Sequence, residues 1–284
     1  MRVDMAAKVP HAGAAYDPAM SDTPLITAAP AAPAAPAALA TAQLPHAPLP
    51  AYYGDEEEHQ RYLRRIFDDT ASDYDRIERV LAFGSGPWYR RSALQRAGLA
   101  AGAQVVDVGI GTGLVAREAL GLIGPQGRLV GVDPSAGMMK EVDLPSVELV
   151  EGKAEALPRA DASSDFLSMG YALRHISDVA AAFGEFHRVL RPGGRVLVLE
   201  ISKPESPWGT RLLKGYMRAV VPLIARFIGQ RSDTAELWRY YWDTIEACIA
   251  PQQVMEALRA AGFTDVQRHV ELGIFSEYTA VKAE

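Results

Sequence analysis

From Gln104 onward the chain alternates short β-branched runs with helical stretches, and this alternation restricts the fold more than any other feature. "AQVVDVG", "GRLVGVD", "SVELVEG", "DFLSMGYA" and "GRVLVLEIS" are short and predominantly apolar. Strands of that kind are buried on both faces, which calls for a parallel sheet covered by helices on each side. "LVAREALGLI" and "DVAAAFGEFHRVL" read as helices between them. Near the end, "PQQVMEALRAAGF" predicts a helix, and "DVQRHVELG" and "FSEYTAVKA" a last pair of strands. The expected fold is α/β: a seven-stranded, mostly parallel, Rossmann-like sheet with helices on both faces. Residues 204–246 break the alternation with mostly helical sequence, a helical insertion before the last helix and strand pair.

Residues 51–100 precede the sheet. "DEEEHQRYLRRIFDDTASDYDRIERVLAF" has acids at its start and Tyr62, Ile66, Tyr74, Ile77 and Leu81 at helical spacing, which predicts one or two helices. Order is expected to begin near Tyr52. Residues 1–50 hold nine of the 19 prolines, and "AAPAAPAAPAALATAQLPHAPLP" has no period. Proline removes donors and alanine offers little to bury, so 1–50 is expected to be a disordered tail and 51–284 one domain. The start lacks the basic and apolar regions of a secretory signal, and no run approaches a membrane span, so the expectation is a soluble cytoplasmic protein. The net charge of −6 argues against nucleic acid as the main partner. The single cysteine, Cys248, rules out an intramolecular disulfide and reads as a core thiol. No metal centre is expected, and the sequence leaves room for a homodimer.

"VVDVGIGTGLVAREAL" is strand, loop and helix, with Gly109, Gly111 and Gly113 in the loop. Glycines allow a tight turn and close ligand approach, and a helix N-terminus supplies free N–H groups. Leu114 stands where the dinucleotide fingerprint needs a further glycine, which counts against NAD or FAD. The second strand ends in Asp133, placed to accept from a ribose diol. Alternatively, Asp133 or Ser135 caps the helix "SAGMMK". Asp107, inside the first strand, must be paired: it holds the turn, reaches a ligand's amino group, or both.

"LSMGYALRHISD" ends an apolar strand in Arg174 and His175, at the sheet edge where ligands bind in such folds. Adjacent residues on a strand face opposite ways, so only one of the two faces a cleft unless the strand has already turned. The structural alternatives are a pair of Arg174 with Glu200 or Asp178, and a helix cap for His175.

These pieces together resemble the class I S-adenosylmethionine (SAM)-dependent methyltransferases, and within them the UbiE-type C-methyltransferases of ubiquinone and menaquinone biosynthesis. The likeness is carried by "IFDDTASDYDRIERVLAFG", "VVDVGIGTG", "GVDPSAGMM", "GKAEALP", "YALRHISD", "RVLRPGGRVLVLEISKP" and "AAGF". The resemblance implies SAM as cofactor and a quinol or related aromatic small molecule as acceptor. It places Gly109, Gly111 and Thr112 against the methionine part, Asp133 on the ribose, Lys153 and Ala154 at the adenine, and Gly113 and Gly170 beside the cofactor. It makes Arg174 a group for the methyl-transfer step, by stabilising phenolate charge or orienting a water; His175, whose ordinary titration range suits proton transfer, is the candidate base by its own chemistry. Tyr74, Tyr240 and Tyr278 are implied on the acceptor side. Lys153, His175, Glu78 and Tyr278 depart from the family's usual residues. Methylation of an aromatic secondary metabolite, or a SAM-binding scaffold without turnover, are the competing readings.

"RLLKGYMRAVVPLIARFIGQR", residues 211–231, has five basic and no acidic residues. It reads as a lid over the acceptor pocket or as a segment that lies on a membrane surface, at the inner face, and Pro222 is expected to kink or break it. "ELWRYYWDTIEA" reads as a pocket for a planar ring or as a core helix.

Overall fold

The computed structural model describes residues 43–284 apart from residue 83 and residues 229–233. Seven strands, β1 (Gln104–Val108), β2 (Arg128–Asp133), β3 (Val147–Glu151), β4 (Ser164–Gly170), β5 (Leu190–Ile201), β6 (Phe263–Glu271) and β7 (Phe275–Lys282), form one sheet in the order β3-β2-β1-β4-β5-β7-β6. The first five are parallel to one another, and β7 runs antiparallel between β5 and β6. The helices are α1 (Glu56–Leu81), α2 (Gly86–Arg96), α3 (Leu114–Ile123), α4 (Ala136–Lys140), α5 (Val179–Val189), α6 (Pro207–Gly215), α7 (Val221–Ile228), α8 (Thr234–Ala247) and α9 (Pro251–Ala260).

Strand side chains alternate between faces, and each face has its own core. Val106, Val108, Leu167, Met169, Val196 and Val198 pack with α5 and α9. Val105, Phe166, Leu197 and Leu199 pack with α2 and α3. Both sides of each central strand are therefore covered, which is why these strands read as near-continuous apolar runs. A third cluster joins Tyr62, Ile66 and Ile77 of α1 to Leu237, Tyr240 and Trp242 of α8.

The region before the sheet is one long helix and one short one. Asp55 caps α1 by accepting from the Glu58 N–H at 2.8 Å, and three acids follow in the first turn.

Two expectations are corrected. Residues 43–51 already belong to the fold: Val179 donates its N–H to the Gln43 carbonyl (2.9 Å), Ile249 donates to Pro45 (2.8 Å), and His46 bridges Cys248. Proline-rich backbone still has carbonyls to offer, and here they meet free N–H groups at helix termini. The expected tail over residues 1–42 lies outside the described residues. Of the two outcomes expected at Pro222, the break is corrected: the helix departs from α geometry just before it and continues. Tyr216–Val220 winds as a π-turn, with Val221 donating to Tyr216, and α7 follows directly. The wider turn gives the proline ring room that the tighter α ladder denies it.

Candidate active site

Strand order reverses at β1, which has β2 on one side and β4 on the other, and a crevice opens where the strands end there. A cavity of about 490 Å³ lies over that edge. Residues 108–112, 133–135, 152–155 and 170–172 line it from the sheet, and Phe67, Tyr74, Met217, Trp238 and Tyr241 from the helices.

The glycine loop takes its shape from left-handed backbone at Gly109 (φ 67°), Gly111 (φ 56°) and Gly113 (φ 86°), conformations that side chains disfavour. The Gly111 N–H donates to Asp133 Oδ2 and the Ser135 N–H to Oδ1, both at 2.8 Å. Ser135 is the cap of α4, its Oγ accepting from Met138 N–H at 3.0 Å, so Asp133 is free of that duty and lines the cavity. Burial pushes the Asp133 carboxyl up to about 6. Asp107 is buried, does not line the cavity, and accepts from Ser168 Oγ at 2.6 Å through Oδ1. Its Oδ2 has no partner among the described residues, and burial pushes this carboxyl up to about 7.

Two carboxylates of α1 clamp this floor. Asp75 accepts from Thr112 Oγ1 at 2.5 Å, and Asp68 accepts from Ser135 Oγ at 2.5 Å and Gly137 N–H at 2.8 Å. The Thr112 hydroxyl is therefore engaged by protein. The stretch "DDTASDYD" carries both acids seven residues apart, on one helical face, a signal that sequence reasoning left unused. Lys153 and Ala154 line the cavity, as does Gly170. A Cβ at Gly170 would meet Val115 Cγ2 at 2.6 Å, so a larger residue there would have to displace that α3 side chain.

After Gly170 the strand turns, and Leu173–His175 forms a single 3₁₀ turn, which separates Arg174 from His175. His175 lines the cavity and Arg174 does not. The Arg174 side chain is fully buried, pairs through Nη1 with Glu200, and lies 4.4 Å from the centre of the Tyr241 ring. The expectation of Arg174 as a group in direct contact with ligand is corrected to that extent: Glu200 draws it into the interior. His175 packs against Tyr240 and Phe67, with ring centres at 5.6 and 5.2 Å. Burial, and then the Arg174 charge, hold its pKa well below the usual histidine value, so the ring is neutral. Its Nε2 is buried and has no hydrogen-bond partner among the described residues. Asp178, not His175, caps α5.

Of the three expected acceptor-side tyrosines only Tyr74 lines the cavity. Its hydroxyl lies 2.6 Å from that of Tyr241, and its ring stacks on Trp238. Tyr240 is corrected to a core residue, buried beside Tyr52 and Tyr62. One residue is 100° of helix, and the face of α8 that meets the cavity carries Trp238 and Tyr241. Tyr278 is corrected likewise. It pairs with Val198 inside the sheet and packs in the α5–α9 core. Because β7 is antiparallel, its start, Phe275, reaches the cavity instead. Glu78, Arg90 and Tyr171 also line it, with Arg90 Nη2 2.5 Å from Glu78 Oε1. Among the described residues no group of three or more His, Cys, Asp or Glu is suited to a metal ion.

The profile of the ubiE/COQ5 methyltransferase family matches residues 55–282. A ubiquinone/menaquinone biosynthesis C-methyltransferase of Hahella chejuensis is 31% identical over 235 residues, covering 80% of this chain and 93% of the relative. A demethylmenaquinone methyltransferase of Roseiflexus castenholzii is 33% identical over 236 residues, covering 80% and 95%. Among solved structures, a SAM-dependent methyltransferase of Thermotoga maritima, described as a possible histamine N-methyltransferase, aligns with TM-score 0.55 at 22% identity, covering 78% of this chain and 99% of that one. That likeness establishes the class I methyltransferase fold. This chain is a SAM-dependent methyltransferase and belongs to the ubiE/COQ5 methyltransferase family.

Proposed function

We propose that this enzyme methylates a ring carbon of a quinol precursor carrying a prenyl tail, in ubiquinone or menaquinone synthesis. One observation carries the reading: a single cavity joins the glycine loop and Asp133 to an aromatic, apolar compartment whose lining includes the exposed Trp88 and Leu272. The quinone-pathway relatives support it.

The residues present fit SAM. When ionised, buried Asp107 puts a negative charge behind the glycine loop that favours an ammonium group in the cavity, and Gly111 has open space where a Cβ would stand. Asp133 would hold the ribose, with Lys153 and Ala154 beside the adenine. Bound SAM supplies a methyl group on a sulfonium, an electrophile that needs only a positioned nucleophile. The neutral His175 ring lines the cavity, and because burial and the Arg174 charge oppose its becoming a cation, it orients the acceptor hydroxyl while the proton leaves to solvent once the neighbouring ring carbon has taken the methyl group. Of the mutually hydrogen-bonded Tyr74 and Tyr241 hydroxyls, the one whose proton is not spent on the other donates to that oxygen as its charge grows. Arg174 acts through the Tyr241 ring as a positioning residue, and the compartment's apolar walls exclude water.

The insertion presents Trp208, Leu212, Leu223 and Phe227 to solvent. Lys214 and Arg218 pair with Glu246 and Asp243, so the apolar stripe is the main attraction for a membrane surface at the cytoplasmic face. The expected segment 211–231 extends into residues outside those described. Among the described residues no helix is long and apolar enough to cross a membrane.

The test is turnover of SAM with a prenylated demethyl-quinol, with the product identified by mass spectrometry. A C-methylated ring is expected, and no methylated product would overturn the reading. A second reading, an unprenylated aromatic metabolite, is favoured by one observation: Glu78 and His175, both departures from the family pattern, line the same cavity. Equal turnover with and without the prenyl tail would support it.

A further inference from the structure

We infer that Glu78, Arg90 and Tyr171 form a second oxygen-binding locus in the cavity, one that selects acceptors with a hydroxyl across the ring from the reacting oxygen. This rests on the quinol reading above and specifies which ring that site takes.

Arg90 is 3% exposed and pairs with Glu78 through Nη2, but its Nε–H has no partner among the described residues. A buried guanidinium with an unmet donor is costly unless something satisfies it. Tyr171 closes the group. It lines the cavity, and its hydroxyl makes no hydrogen bond to any described residue. Its backbone sits at φ +60°, a strained conformation for a tyrosine, directly after β4. Tyr171, Glu78 and Arg90 line the same cavity. The nearby walls, Ile201, Met217, Trp238 and Phe275, are largely apolar, so this is a polar island.

Its placement suits a ring. Tyr74 and Glu78 are four residues apart on α1, on one face and about 6 Å apart along the axis. That is comparable to the span between two oxygens on opposite sides of an aromatic ring. Tyr74, Tyr241 and His175 meet one oxygen, and the Glu78 group meets the other. The ligand group is a neutral hydroxyl. It can donate to the carboxylate and accept from the Tyr171 hydroxyl. A carboxylate would be repelled by Glu78, and an ammonium by Arg90.

The experiment compares kcat/KM for naphthalene-1,4-diol and for 1-naphthol, under reducing conditions, in wild type, Glu78→Gln and Tyr171→Phe. Dividing each variant's diol-to-naphthol ratio by the wild-type ratio removes the difference in ring reactivity. The ratio is expected to fall at least about tenfold in Glu78→Gln and about threefold in Tyr171→Phe, as for a lost charged and a lost neutral hydrogen bond. Glu78→Gln leaves Arg90 without its counter-charge and is checked by thermal unfolding. Tyr171→Phe removes one hydroxyl and keeps the proposal testable if that variant unfolds. Unchanged ratios in a wild type that turns over the diol would overturn this locus and leave the quinol reading standing. No turnover of diol or of prenylated quinol by the wild type would overturn both.

Discussion

Asp107 and Asp133 titrate within the range a cell can reach. Burial lifts them to about 7 and about 6, and the Asp133 charge adds to the rise at Asp107. A protonated carboxyl can neither balance an ammonium nor accept from both hydroxyls of a ribose. Each pKa is raised, so the proton stays on until the pH passes it. SAM affinity is therefore expected to climb between about pH 5.5 and 7.5 and then level off. Calorimetry over that range checks it, and a flat profile would remove both carboxylates from cofactor binding. Asp133→Ala should weaken SAM binding at least tenfold, to the order expected of lost charge-assisted hydrogen bonds. Arg174 makes a different prediction. Its partner Glu200 is buried, so Arg174→Met should cost about 3–5 kcal/mol of stability, read as a large drop in melting temperature. An unchanged melting temperature would contradict the buried pair.

Within elements, register decides function. On α8, Tyr241 lines the cavity and Tyr240 faces the core, one residue away. Tyr241→Phe is expected to lower kcat about tenfold or more, the cost of losing a donor to developing charge. Tyr240→Phe removes only a 3.5 Å contact to His175 Nδ1 and should leave kcat within about threefold. Equal losses in the two variants would mean that the helix turns the other way. The aromatic richness of "ELWRYYWDTIEA" was legible, but its rotation was not, because four aromatics around a helix offer no single apolar stripe. The segment before α1 was misread for a related reason. Its hydrogen bonds go to Val179 and Ile249, far along the chain, and composition says nothing of such partners. A chain beginning at Tyr52 is expected to melt several degrees below one beginning at Gln43.

For the whole molecule, the open question is where the acceptor enters. Exposed Trp208 and Leu212 belong to the same helix whose other side places Leu213 against the cavity. Trp208→Ser with Leu212→Glu should reduce co-sedimentation with anionic lipid vesicles and leave turnover of a short, soluble quinol unchanged. Vesicle binding equal to that of wild type would exclude this face. The sequence by itself determined the architecture and the glycine loop and carboxylate that meet at the edge of its sheet. Strand and helix periods, glycines at left-handed positions and a carboxylate after the second strand are local features, dictated by backbone sterics and by burial on both faces. Only the tertiary structure decided which of the remaining side chains line the cavity. Glu200 draws Arg174 inward and leaves His175 at the cavity, Tyr241 rather than Tyr240 meets it, and Glu78 finds Arg90 across a helix corner. Each of those outcomes depends on a partner distant in sequence or on the rotation of a whole helix, and neither is encoded in a residue's neighbours.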